Sequence, residues 1–258
     1  IENTYFKNSD LKFGLGYTSD NFISDLRVNI NDSEIGIPHG EENHDDHDDH
    51  DDHDDDDHDE DHDEDHEEHE EEKIYQDLTN TMISWKNRFL FENRSEIEFT
   101  LGFSSNKRKE FGHHEEEGHD DHDDDDHDDH DEHGEGPALN MDLETTTFDL
   151  KYIFPKSEKL ELVFGTNILS QTNTNYGEEE LIPDADKRDF GVYALSHIHA
   201  SKWDVLIGLR TDNRKITTSD FDKNYNSLNA SLGFKRDFST NKIFRLNFSN
   251  GYRAPNLS

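Results

Sequence analysis

Apolar and polar residues alternate with period two along most of this chain. Leu11, Phe13, Leu15 and Tyr17 interleave with Lys12, Gly14 and Gly16. The same rhythm carries Leu26, Val28 and Ile30, then Ile97, Phe99, Leu101 and Phe103, then Phe148, Leu150, Tyr152 and Phe154. Leu160, Leu162 and Phe164 continue it, as do Trp203, Val205, Ile207 and Leu209 against Lys202, Asp204 and Arg210. Leu228, Ala230, Leu232 and Phe234, and finally Phe244, Leu246 and Phe248, close the series. Period two is the signature of strands with one apolar and one polar face. No segment shows a convincing helical period. The pattern predicts ten strands, at 11–18, 22–30, 75–92, 95–104, 145–154, 159–168, 188–199, 202–212, 226–238 and 241–252.

The connections add a second regularity. Five are short, around Asp20, Asn93–Arg94, Pro155–Glu158, Ala200–Ser201 and Ser239–Thr240. The four between them, 31–74, 105–144, 169–187 and 213–225, are long. Alternating short turns and long loops are what an outer-membrane β-barrel shows, with its apolar face toward lipid and its polar face toward the lumen. Several strands reach the roughly 9–11 residues that cross a bilayer at a tilt. Tyr17, Phe22, Phe154, Trp203 and Tyr252 lie near strand ends, where an interfacial aromatic girdle belongs. A soluble β-sandwich also alternates, but it rarely keeps every second loop short over ten strands. The expected fold is therefore all-β: an antiparallel transmembrane barrel segment with long, partly disordered external loops.

Composition changes the picture at two places. Residues 41–72 and 113–135 consist almost wholly of Asp, Glu and His, contain no Lys or Arg, and hold 15 of the 18 histidines. They carry more than half of the 64 acidic residues, so the formal charge of −39 belongs mainly to them. The remaining chain is close to neutral. Negative tracts attract cations and oppose nucleic-acid binding, which needs Lys and Arg. Both tracts fall in long connections, so 39–72 and 113–135 are read as external loops. Such charge density, without apolar anchors, predicts disorder in the free state.

The histidines are regularly spaced. His39 precedes His44, His47, His50 and His53 at every third residue, followed by His58, His62, His66 and His69. The second tract holds His113, His114, His119, His122, His127, His130 and His133. Neutral imidazole binds zinc, nickel and copper, and carboxylates complete the shell or hold the second ring N–H. With no cysteine and only Met82 and Met141 as thioethers, a dedicated copper(I) site is disfavoured. An oxygen-only calcium site has no use for imidazoles. These sixteen histidines are the candidate metal ligands, acting as overlapping weak sites rather than one fixed centre, with zinc the leading ion and other divalent metals possible. Solvated low-complexity inserts that merely tolerate metal are the plainer alternative.

Elsewhere the chemistry is sparse. His197 and His199 sit two apart on one strand face beside the turn at Ala200. Facing the lumen they could bind metal on the exit side; such strand pairs are more often interfacial or hydrogen-bonded. Arg210, Asp212 and Arg253 suit lumen or loop ion pairs, and the strand glycines suit crowded positions or bulges. No nucleophile elbow, phosphate-cradling loop or H-E-x-x-H motif occurs, so no enzymatic activity and no catalytic residue are expected. No cysteine means no disulfide. No run approaches the roughly 20 apolar residues of a membrane helix.

The closing stretch Gly251-Tyr252-Arg253-Ala254-Pro255-Asn256-Leu257-Ser258 resembles the G-[FY]-R-A-P-N-L segment of TonB-dependent outer-membrane receptors. Leu181-Ile182-Pro183-Asp184 with Asp189-Phe190-Gly191-Val192-Tyr193-Ala194, and Gly208-Leu209-Arg210-Thr211-Asp212, are similar to that family more weakly. Long His- and Asp-rich external loops resemble those of its zinc-uptake members. The resemblance implies a 22-stranded barrel in the Gram-negative outer membrane, an N-terminal plug and a TonB-box peptide. With about ten strands, Ile1 at its start and no signal peptide, this chain is expected to be a mid-barrel excerpt. The implied function is import of zinc or a related divalent metal. The expected partners are outer-membrane lipid, the metal ion, and the TonB complex through the plug. Uptake of a chelated metal such as haem or a siderophore, or passive metal buffering at the surface, are the alternatives.

Overall fold

The computed structural model describes residues 4–38, 74–112, 136–239, 241–252, 254 and 255. Both acidic tracts, the sixteen candidate histidines, Arg253 and Asn256–Ser258 lie outside the described residues.

Ten antiparallel strands form one meander in which each pairs only with its neighbours in the chain. They are β1 (Phe6–Thr18), β2 (Phe22–Gly36), β3 (Tyr75–Leu90), β4 (Glu96–Phe111), β5 (Leu139–Ile153), β6 (Leu160–Asn175), β7 (Ala185–Ala200), β8 (Trp203–Thr218), β9 (Asp222–Ser239) and β10 (Lys242–Ser249). All ten predicted strands are present. β1 and β10 are the two edges of the sheet. Inside a bilayer their open backbone groups require partner strands, since no water is there to satisfy them.

The register keeps the alternation in phase from strand to strand. Leu15 faces Leu26, Leu26 faces Trp85, Trp85 faces Leu101, Leu101 faces Phe148, Phe148 faces Ile168 and Ile168 faces Phe190. Directly opposed residues share a face, so one apolar surface runs across seven strands. A slip of one residue anywhere would turn that strand's apolar set to the polar side. The surface is open: Leu15 is 61 % exposed, Phe190 51 % and Leu209 53 %. A water-soluble sheet would cover a continuous patch of this size. Among the described residues only Ala138, Leu139, Met141, Ala185 and Ile216 form a buried apolar group. The sheet thus lacks a sandwich core and displays its hydrophobic residues outward, as lipid contact requires.

Most strands run further than the alternation predicts on the side of the long connections, whereas β3 begins at Tyr75 as expected and β10 ends early, at Ser249. β2 continues to Gly36, β4 to Phe111, β6 to Asn175 and β8 to Thr218, while β5 begins at Leu139 and β9 at Asp222. Along the extensions of β2, β4 and β6 both faces are largely polar, so period two fades from the sequence while the backbone ladder continues; in β5, Leu139, Met141 and Leu143 still alternate. One expectation is corrected by this. The connection expected at 213–225 is only the turn 219–221, because β8 and β9 extend through the rest of it. The connection 176–184 is held against β5: Tyr176 N–H donates to Asn140 O at 2.8 Å and Glu179 N–H to Ala138 O at 3.0 Å. This return lies along Ala138 and Leu139 at the start of β5, where Leu139 bridges Glu179.

Turn chemistry at the opposite edge is local. Arg94 adopts φ 67° and Ser201 φ 52°. At the first of these turns the Asn93 carbonyl oxygen Oδ1 accepts from Ser95 N–H at 3.0 Å and from Ser95 Oγ at 2.7 Å. Asn is suited to closing a turn through its side chain in this way.

Candidate functional site

The two edges of the sheet that carry the connections differ in chemistry. On the short-turn edge, aromatic rings pack against one another along the outward face in three runs, some stacked and others tilted or edge-to-face. Tyr17, Phe22, Phe89 and Phe99 are spaced 6.1, 4.5 and 6.3 Å between ring centroids. Tyr152, Phe154 and Phe164 are spaced 4.7 and 5.7 Å, and Trp203, Phe234 and Phe244 4.5 and 6.5 Å. Arg236 lies 4.1 Å over the Trp203 ring, an arrangement that keeps a cation at the polar boundary of an apolar surface. The predicted girdle is therefore found at Tyr17, Phe22, Phe154 and Trp203. Tyr252 is the exception: it follows β10 at the other edge and lines a polar cavity.

The opposite edge carries both acidic tracts. The first leaves after β2 and returns into β3, and the second leaves after β4 and returns into β5. Their four roots are consecutive strands, so they span only about 15 Å of rim at the usual strand spacing. The roots are firmly made. Ile37 N–H donates to Ile74 O at 3.0 Å, and the rings of Tyr75 and Phe111 stack at 4.7 Å. Nearby, Lys7 Nζ pairs with Glu34 Oε1 at 2.7 Å. The hydrogen bond from Lys7 holds the Glu34 carboxyl below the usual carboxylate range, against the smaller opposing effect of burial.

The inward face below the rim is a web of charge pairs. Toward the short-turn edge Arg88 bridges Glu96 and Glu98, and Lys151 Nζ reaches Glu98 at 2.6 Å. Asn167 joins Asp149 to Arg210, accepting from Arg210 Nη1 at 2.8 Å. Arg210 Nε donates to Asp212 at 2.8 and 2.9 Å, so this expected ion pair is present. Arg214 grips Asp189 through two bonds of 2.7 and 2.6 Å, the fork geometry that guanidinium and carboxylate favour. Asp149, Asn167, Asp189, Arg210, Asp212 and Arg214, with Lys187, Tyr225 and Tyr252, line a cavity of about 580 Å³.

Close packing explains Gly102, Gly165, Gly191, Gly208 and Gly233, but not Gly14 and Gly16, where a Cβ would meet nothing nearer than about 3.9 Å. A Cβ on Gly191 would stand 2.5 Å from Asp212 Oδ1 and 2.8 Å from Arg210 Nη2, so a larger residue would break into the ion pair.

His197 and His199 point to the polar face at the short-turn edge. Their ring centroids are 3.9 Å apart. His199 Nδ1 is 2.8 Å from Asp204 Oδ1 and its Nε2 is 3.6 Å from Glu161 Oε1. Both rings face inward, and His199 is hydrogen-bonded. Glu161 and Asp204 were not among the sequence candidates, although the turn at 201–202 places Asp204 opposite His199 by register. Glu161 opposes His197 in the same way across β6 and β7.

Comparison with known proteins gives a consistent result. The family model "TonB dependent receptor-like, beta-barrel" matches residues 3–258. Among solved structures, the FrpB iron transporter of Neisseria meningitidis (F3-3 variant) superposes with a TM-score of 0.64 at 12 % identity, over 97 % of this chain and 37 % of that one. The copper transporter OprC gives 0.63 at 9 % identity, over 98 % and 37 %. The alcaligin outer-membrane receptor FauA of Bordetella pertussis gives 0.53 at 10 % identity, over 91 % and 34 %. At such identities the likeness concerns the fold alone, and the chain spans about a third of the length of these structures. A search of the curated proteins finds no match. With the family model covering nearly every residue and the strand topology in agreement, the chain belongs to the TonB-dependent receptor β-barrel family.

Proposed function

We propose that this chain is the metal-capturing part of an outer-membrane receptor for zinc or a related divalent metal, energised through the TonB complex. The observation that carries the reading is positional. Both His- and acid-rich tracts branch from one rim of the sheet, opposite the aromatic short-turn edge, and their roots are adjacent. In this family's orientation that rim faces the medium. Each tract offers many imidazole and carboxylate donors within one short stretch, so a released cation meets another ligand set before it diffuses away. Carboxylates raise the local cation concentration, and imidazoles supply the preference for zinc over calcium. The barrel then needs only to receive an ion already concentrated at its mouth. The iron and copper transport named for FrpB and OprC accords with a metal cargo.

Growth under zinc limitation tests the reading, using the native receptor and a form with 39–72 and 113–135 replaced by Gly-Ser linkers. The replaced form is expected to need more zinc for the same growth rate, and to recover fully when zinc is abundant. Equal growth at limiting zinc, or a defect confined to a ferric chelate, would refute it.

A further inference from the structure

We propose that Glu161, His197 and His199 form a second divalent-metal site, on the polar face at the short-turn edge. It lies a full strand length from the acidic tracts, about 50 Å of extended chain. The three residues each offer a ligand atom within 4.8 Å of the other two. Donors around a tetrahedral ion, at about 2.0–2.1 Å from it, stand about 3.4 Å from one another. The 3.6 Å between Glu161 Oε1 and His199 Nε2 is already close to that edge length. The set closes with small rotations of His197, whose side chain is 35 % exposed.

A second observation points the same way. His199 Nδ1 meets Asp204 Oδ1 at 2.8 Å; an ionised carboxylate only accepts, so a ring that donates there through Nδ1 leaves Nε2, on the Glu161 side, as the atom for a metal. A carboxylate that orients a ligating imidazole in this manner is the usual outer partner of a histidine–metal bond. Two cations hold the carboxylates: Lys156 pairs with Glu161, and Lys235 Nζ lies 3.1 Å from both Asp204 Oδ2 and Asp237 Oδ2. Lys156 is 72 % exposed and can swing away when a metal arrives, whereas Lys235 leaves the orienting Asp204 in place. Two imidazoles and one carboxylate, without thiolate, select zinc, cobalt, nickel or copper(II) over calcium or copper(I). Half-buried ligands leave room for water in the remaining position, which suits an ion that must be released again.

The site is tested by binding, in receptor purified from outer membranes in detergent, with Co(II) alone as the probe. Tract-replaced receptor removes the competing histidines. It is expected to bind one Co(II) with the visible absorption of a nitrogen- and oxygen-ligated ion. His197→Asn with His199→Asn should abolish that absorption, and Asp204→Asn should weaken binding about tenfold or more without abolishing it. Circular dichroism checks that each variant keeps its sheet. Asp204→Asn also guards against a misfolded double variant, since it alters no ligand. Absence of the absorption in tract-replaced receptor, or its persistence in the folded double variant, would overturn the proposal. The readout is binding and not uptake, so failure of the zinc-capture reading leaves this test unaffected, and the reverse holds.

Discussion

The ring of Tyr193 occupies the space that a side chain on Gly165 would need. The two residues face each other across β6 and β7, and a Cβ at Gly165 would stand 2.2 Å from the ring carbon Cζ. Gly165→Ala must therefore displace the ring, and with it the Arg210 guanidinium that sits 5.8 Å from the ring centroid. Overpacking of this kind costs about 1–3 kcal/mol. The midpoint of denaturant unfolding is expected to fall by a corresponding amount. Gly14→Ala is the control, because the nearest atom to its Cβ is Leu26 O at 4.0 Å, and it should leave the midpoint unchanged.

The fork between Arg214 and Asp189 gives a second expectation. Both side chains are 25 % exposed, so neither charge is well hydrated once its partner is lost. Asp189→Leu leaves the guanidinium uncompensated and is expected to destabilise the sheet by about 2 kcal/mol, a value between exposed and fully buried pairs. Arg214→Lys should recover little of the native stability, because an ammonium cannot make both bonds. Paired unfolding measurements on Asp189→Leu, Arg214→Lys and the native protein check this order.

At the rim, Glu34 lies four residues beyond Ile30, the last apolar residue of its strand's outward face. Its carboxyl is held below the usual range, chiefly by the hydrogen bond from Lys7. A depressed carboxyl stabilises the fold at pH values above its unfolded value, and that contribution is lost as pH falls through its folded value. Lys7→Gln should therefore make the β1–β2 extension less stable at neutral pH and less sensitive to mild acid. Amide exchange at β1 and β2, compared at neutral pH and near pH 3, measures the difference.

Metal binding by the tracts should follow imidazole chemistry. Between about pH 7.5 and about pH 5.5 the zinc affinity of peptide 39–72 is expected to fall about tenfold for each imidazole engaged, since protons compete for the same lone pair. Replacing its histidines by Asn should remove this pH dependence and most of the zinc affinity, while weak calcium binding by carboxylates remains. Calorimetric titration of both peptides reads the two effects separately.

The strands, their order and their apolar face were legible because one side of each meets an apolar medium, and period two records that directly. Their ends were not. From Asn31 to Gly36, and from Ser105 to Phe111, the ladder continues where neither face is strictly apolar, and nothing in the pattern marks it. The same blindness produced the long connection expected at 213–225, where Arg214 in fact pairs with Asp189 inside the sheet. Glu161 and Asp204 were obscure for another reason. Single acidic residues carry no motif, and they become partners of His197 and His199 only once the register is known.

The most direct test of metal capture is accumulation of labelled zinc by cells at limiting concentration, with and without an uncoupler of the proton-motive force. With the native receptor, uptake is expected to be saturable and abolished by the uncoupler. With 39–72 and 113–135 replaced by Gly-Ser linkers, it is expected to require a higher zinc concentration for half-maximal rate while keeping the same maximal rate. Uptake by the two forms that is indistinguishable at limiting zinc, or zinc retained at the surface regardless of energisation, would contradict the account.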